Sequence, residues 1–157
     1  MFTPTPDSVP RTMANGTLAG VVGVIAMTAF QRLVEMPLTA RGDSYAPARF
    51  AEKVTPLSPR SAGGRRRLNE STHLALGTLW GGAYGLAASQ GLRGQKAAHA
   101  VFGVVYTGDV LLNTALGLYR PKEWTARDWA VDLVDKYVQA QATGAAFDRL
   151  LDPAAGR

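Results

Sequence analysis

The stretch 71–119 constrains the fold most, because it holds two apolar segments joined by a short basic bend. The segments read STHLALGTLWGGAYGLAASQGL and AAHAVFGVVYTGDVLLNTALGLY. Each is long enough to cross a bilayer, which takes about 20 helical residues at ~1.5 Å rise per residue. The bend SQGLRGQK at 89–96 is short enough to force the two arms antiparallel. We therefore predict a membrane hairpin at the centre of the fold.

Two further apolar segments flank this hairpin, one on each side. Together the four predict an all-α fold, an integral membrane bundle with helices at about 16–35, 71–90, 97–119 and 129–151. The proline-containing start MFTPTPDSVPRTMANG predicts a disordered N-terminal tail over 1–15. The segment 38–70 is a basic loop, with a short helix possible over 45–54.

The last apolar segment, 129–151, is amphipathic. It places Asp132, Lys136, Gln139 and Thr143 along one face at helical spacing, with Asp135 beside them. Such a helix either lies on the membrane surface or spans the membrane with its polar stripe turned inward. Its length favours spanning.

Glycines recur every fourth residue in the second segment, at Gly77, Gly81 and Gly85. Residues four apart share one face of a helix, and a face without side chains lets a second helix approach closely. We therefore expect this glycine zipper to be a helix-packing surface. The segment 16–35 has a similar small face.

Basic residues are unevenly distributed around the apolar segments. The chain carries a net charge of +5. The loops 38–70 and 120–128 hold about twice as many Lys and Arg residues as the other side, which predicts that both termini lie outside the cytoplasm. The triplet at 65–67 is interpreted as part of this signal, binding of anionic lipid or nucleic acid being the alternative. No motif typical of nucleic-acid binding accompanies the charge, and we expect no nucleic-acid partner.

Catalytic and cofactor-binding patterns are missing from the sequence. With no cysteine, disulfides, thiolate metal sites and a cysteine nucleophile are excluded. No nucleophile–base pair, carboxylate dyad or phosphate-binding glycine loop is present. The two histidines, His73 and His99, begin antiparallel segments at opposite faces, so they cannot ligate one metal within a monomer. We expect no enzyme activity, no cofactor and no metal.

Asp109 has the position that costs the most free energy, because it lies near the middle of the third segment, where an ionisable side chain would be deep in the membrane. Ionisable residues at such depth usually have a partner or a function. Asn113 lies one turn away on the same face, and Lys136 is within reach if the last helix spans. A cluster of Asp109, Asn113 and Lys136 is therefore expected either to stabilise helix contacts or to serve as a proton, ion or solute site.

Four pieces of the chain resemble the YagU-like bacterial inner-membrane proteins, a family of unknown function. They are GTLAGVVGVIAMTAFQRLVEMP, THLALGTLWGGAYG, HAVFGVVYTGDVLLNTALGL and ATGAAFDRLL, within about residues 15–151. Relatives more usually show a His and a Tyr-Gly in the last helix, where this chain has DKYVQAQ. The resemblance implies a multi-pass protein of the bacterial inner membrane, with a link to acid stress.

The sequence therefore predicts a small non-catalytic membrane protein with an accessory or stress-related role. Its expected partners are membrane lipid and either a second copy or another membrane protein. Transport of protons, ions or a small solute through the Asp109 cluster is the alternative. A soluble or peripheral helical protein is the second alternative.

Overall fold

The computed structural model describes residues 8–152, in which every regular element is a helix. Four long helices form a bundle, and shorter helical turns connect them. In chain order the elements are α1 Ser8–Phe30, a π-helical turn Gln31–Glu35, α2 Met36–Thr39, α3 Ala46–Val54, α4 Ala62–Ser89, α5 Gly94–Ala115, a 3₁₀ turn Pro121–Glu123, α6 Ala126–Ala146 and a second π-helical turn Phe147–Leu151.

The four long helices, α1, α4, α5 and α6, alternate in direction along the chain. One end of the bundle, here called the loop end, carries residues 31–61 and 116–125. The other, the bend end, carries the connection between α4 and α5, where Arg93 forms an ion pair of 3.0 Å with Asp152. This alternating order agrees with the all-helical bundle predicted from the sequence.

The closest contact in the bundle joins α1 and α4 through glycines on both helices. A Cβ added at Gly20 would lie 2.8 Å from the Gly77 carbonyl oxygen and 2.9 Å from Gly81 Cα. A Cβ at Gly85 would lie 2.8 Å from the Thr12 carbonyl oxygen. The two backbones therefore touch directly, which only residues without side chains allow.

Because of this contact, the two arms of the central hairpin, α4 and α5, are not each other's main packing partners. The glycine face of α4 meets α1, whereas α5 packs on α4 mainly near the bend, where Trp80 and Phe102 have ring centroids 6.4 Å apart. The sequence alone did not identify which neighbour the glycines face, because any helix can approach a small surface.

The largest differences from the predicted boundaries lie at the starts of two helices. Helix α1 begins at Ser8 rather than at 16, so half of the expected disordered tail over 1–15 is helical, and residues 1–7 lie outside the described part. Helix α4 begins at Ala62, where the Ser61 hydroxyl accepts a hydrogen bond of 3.1 Å from the Gly64 N–H. The end of the predicted basic loop 38–70 is therefore helical, because a serine N-cap satisfies a free backbone donor.

Helix α6 turns its polar stripe inward. Asp135, Gln139 and Thr143 are buried, whereas Leu133 and Val134 are exposed. The helix begins at a capping box, in which the Thr125 hydroxyl and Asp128 carboxylate each bond to the other residue's backbone N–H.

The two ends of the bundle have different interiors. At the bend end an apolar core surrounds Tyr84 and Phe147, whose side chains are almost fully buried and whose rings lie 5.2 Å apart. The Tyr84 hydroxyl donates a hydrogen bond of 2.7 Å to Asp148 Oδ2. At the loop end the helices diverge around a polar cleft.

One helical stretch among the described residues, Val9–Thr39, is long and apolar enough to cross a membrane. The core helix of a soluble protein or a signal sequence meets the same criterion. Helices α4, α5 and α6 do not meet it, although the sequence predicted spans at 71–90, 97–119 and 129–151. Inward-facing polar residues such as Asp109, Asp135 and Gln139 contribute to this difference, because they lower the mean hydropathy.

Large apolar side chains nevertheless lie on the outside of all four long helices. Leu79 is 70% exposed and Val104 75% exposed. Further examples are Leu18, Ile25, Leu86, Leu111 and Leu133. Exposed leucines are ordinary when single, but a ring of them around a bundle is not typical of a soluble monomer.

We expect Gly81→Ala to destabilise the fold and the neighbouring Gly82→Ala to be harmless. A Cβ at Gly81 would meet the backbone of Gly16 and Gly20, so α1 and α4 must separate, at a cost of about 1–3 kcal/mol. At Gly82 the nearest atom, Thr17 Oγ1, is 4.0 Å away. Thermal unfolding of both purified variants checks this, and equal melting temperatures would contradict the backbone contact.

Candidate functional site

Lys136 on α6 forms the centre of the candidate site. Its ammonium nitrogen lies 2.8 Å from Asp109 Oδ2 on α5 and 2.7 Å from Asp132 Oδ1, one turn back on α6. The Lys136 side chain is 16% exposed, and the two carboxylates are only slightly more so. Two carboxylates therefore share one largely buried ammonium.

Two aromatic rings complete the surroundings of this ammonium. The rings of Tyr106 and Tyr119 have their centroids 5.3 Å from Lys136 Nζ. Ammonium groups at this distance are attracted by the negative face of an aromatic ring. Lys136 thus occupies a cage of two carboxylates and two rings, contributed by α5, α6 and the connection between them.

The three polar residues singled out in the sequence come together here. Asn113 is 6% exposed, and its Nδ2 donates a hydrogen bond of 2.9 Å to Asp109 Oδ1. Asp109 in turn pairs with Lys136. Sequence reasoning omitted Asp132 from the cluster, although its spacing of four residues from Lys136 is the signal for an ion pair on one helix face.

A second polar group forms between the π-helical turn Gln31–Glu35 and α6, and the sequence did not predict its contacts. Asp135 is 7% exposed, and its Oδ2 accepts a hydrogen bond of 2.7 Å from Gln31 Nε2. Its Oδ1 is buried and has no hydrogen-bond partner among residues 8–152. Glu35 lies nearby and accepts a hydrogen bond of 2.7 Å from Thr39 Oγ1. The partners of both carboxylates are neutral.

The π-helical turn explains how Gln31 and Glu35 reach this position. The Met36 N–H bonds to the Gln31 carbonyl, five residues back, instead of four. Pro37 follows directly and has no N–H to donate, so a regular α-helical ladder cannot continue through it. Such turns are frequent at functional sites, because they redirect side chains locally.

These groups line a continuous space at the loop end, which we call the polar cleft. Its volume is about 1070 Å³, and it extends from Gly77, Trp80 and Gln139 inside the bundle to Arg41 and Arg120 at the surface. Binding sites for small molecules commonly measure about 300–1,000 Å³. The cleft is therefore large enough to hold a small organic solute together with water.

Towards the bend end, the polar cleft is closed by buried side chains. Gln139 is 3% exposed and donates to the Gly77 carbonyl at 3.4 Å. The packed core around Tyr84 and Phe147 follows. The described helices therefore form a one-ended cleft rather than an open pore.

The two histidines contact different helices. His73 Nε2 lies 3.3 Å from Thr28 Oγ1 of α1, and His99 Nε2 lies 3.0 Å from the Tyr137 hydroxyl of α6. Among the described residues no group of three or more histidine or carboxylate side chains could hold a metal ion.

No protein-family model, curated protein or solved structure matches this chain. The likeness of the glycine-containing segments to the YagU-like proteins therefore remains a prediction from those motifs.

We expect Lys136→Met to destabilise the fold strongly. The variant keeps an apolar side chain but leaves Asp109 and Asp132 without their cation, which typically costs about 3 kcal/mol for a largely buried pair. The measurement is the unfolding free energy of the purified protein in detergent.

Lys96→Met provides the matched control, because it removes the same charge from an exposed position. Adding Asp109→Asn and Asp132→Asn to Lys136→Met should restore most of the lost stability, since no unpaired charge then remains. Equal melting of the Lys136 and Lys96 variants would show that the ion pairs contribute nothing.

Proposed function

We propose that the chain is a small non-catalytic integral membrane protein, in which α1, α4, α5 and α6 cross the bilayer. The observation that supports this most is the apolar outer surface of the bundle, combined with polar side chains buried between its helices. Leu79 and Val104 are exposed, whereas Asn113, Asp135 and Gln139 are buried. In water this arrangement loses hydrophobic stabilisation on the outside, whereas in lipid the same surface is solvated by acyl chains.

The glycine contact between α1 and α4 also favours a membrane. Between helices in lipid, hydrophobic burial gives no driving force, and close van der Waals contact of small residues replaces it. Gly16, Gly20 and Gly81 provide such a contact. The failure of α4, α5 and α6 to pass a simple hydropathy criterion is compatible with spanning, because helices that enclose a polar interior carry polar residues.

We further propose the bacterial inner membrane as the location, with the loop end in the cytoplasm. The basic residues of 38–70 and 120–128 lie at that end, as the positive-inside rule expects. The likeness to YagU-like proteins supports the same location and an accessory or stress-related role. Lipid contacts the outer surface in this proposal, and a second copy or another membrane protein is the expected protein partner.

The polar cleft favours a second candidate function, namely transport of a proton, ion or small solute. The cleft has a volume of about 1070 Å³ and extends to Gln139. Helices that only pack against one another do not need so large a space between them. Because the cleft has one end, passage would need a rearrangement that opens the other side, as in alternating-access transporters. The Asp109, Asn113 and Lys136 cluster would then line the route.

Membrane insertion is tested by alkaline carbonate extraction, after which we expect the protein to remain in the membrane fraction. Release into the supernatant would contradict the proposal and favour the soluble or peripheral alternative.

Topology is tested by single cysteines, because the natural chain has none and needs no background substitution. In spheroplasts we expect an impermeant maleimide to label Gln90→Cys at the bend end, and Ser44→Cys at the loop end only after permeabilisation. Leu111→Cys, 64% exposed on α5, should resist the reagent in both conditions because lipid covers it. Equal labelling of all three variants would contradict spanning.

A further inference from the structure

We propose that the polar cleft binds a small organic cation, a protonated alkylamine, at Asp135. This proposal rests on the proposed membrane bundle and names the chemical class of the solute that its cleft accepts.

The charge of the cleft is opposite to that of the chain. The chain has a net charge of +5, but carboxylates outnumber basic side chains by eight to five in the lining of the cleft. Cavities with one dominant sign of charge concentrate ligands of the opposite sign. The cleft therefore favours cations over anions.

Most outer carboxylates of the cleft are paired with arginines. Arg41 lies 2.7 Å from Asp128, and Arg120 lies 3.4 Å from Glu123. Further inside, Lys136 is shared between Asp109 and Asp132, so its single positive charge faces two negative ones. The excess of negative charge is consequently located inside the cleft and not at its rim.

Within this inner region Asp135, like Glu35, has no cationic partner among residues 8–152. The Asp135 side chain is 7% exposed and lines the cleft. Gln31 occupies Oδ2, whereas Oδ1 has no hydrogen-bond donor within the described ranges. A buried carboxylate oxygen without a donor is costly, and an ammonium supplies both the donor and the missing charge.

The Lys136 cage shows that the same cleft suits a primary ammonium. Two carboxylates and the rings of Tyr106 and Tyr119 surround Nζ. A free alkylammonium carries the same three N–H donors as a lysine side chain. Trp80 and Leu112 line the cleft as well and offer apolar surface to the alkyl part.

The test is equilibrium dialysis of the full chain in detergent with radiolabelled n-butylammonium, 1-butanol or butyrate. These probes share one alkyl chain and differ in charge. We expect saturable binding of n-butylammonium at least tenfold tighter than of 1-butanol, and no saturable binding of butyrate. If the neutral or anionic probe binds as tightly as the cation, the proposal is wrong, and this comparison needs no variant.

The site is located by Asp135→Asn, which keeps an acceptor for Gln31 and removes the charge. We expect it to weaken n-butylammonium binding at least tenfold while the melting temperature stays at or above that of the natural protein. Asp43→Asn is the matched control, because it removes the same charge from an exposed residue of the cleft lining and should change affinity less than twofold. Equal affinities of the two variants would exclude Asp135 as the site.

Failure of the ligand proposal can be distinguished from failure of the membrane proposal. A protein that resists carbonate extraction but shows no preference for n-butylammonium would leave the bundle intact and refute the ligand. A protein that carbonate releases but that still binds n-butylammonium through Asp135 would refute the membrane location and keep the ligand.

Discussion

The backbone contact between α1 and α4 is the constraint on which the rest of the bundle depends. Where Gly16 and Gly20 meet Gly77 and Gly81, no side chain separates the helices. Val24 is the larger apolar residue that packs into this contact, against Gly77, whereas Leu79 lies 70% exposed on the outside. A helix pair built in this way gains little from hydrophobic burial and much from close packing, which suits lipid better than water.

The same contact divides the bundle along its length. Towards the bend end, Tyr84 and Phe147 fill the space that α5 and α6 leave beside the helix pair. Towards the loop end the rings of Tyr106 and Tyr119 surround Lys136 and leave an open cleft, and the π-helical turn Gln31–Glu35 adds polar side chains to its lining. A polar cleft at one end and an apolar core at the other therefore follow from a single close contact combined with different residues at its two ends.

Periodicity predicted the helices and the meeting of Asp109, Asn113 and Lys136, because spacing along a helix fixes which residues share a face. It did not predict the pairing of Asp135 with Gln31, since that contact depends on how two helices distant in sequence are placed and on a π-helical turn. The helical start of α4 was missed for a similar reason. The glycines and arginines at 63–67 have no apolar period, and an N-cap and an ion pair between Arg65 and Glu52 stabilise that turn instead.

The charges around Lys136 also bear on whether the cluster is more than a structural contact. A purely structural ion pair needs one carboxylate for one ammonium, and additional unpaired charges in a buried position only raise its cost. Here Asp109 and Asp132 share the ammonium, and Asp135 has a neutral donor alone. Burying more carboxylates than the fold can neutralise is costly for stability alone, but it is reasonable for a cleft in which a cation completes the balance.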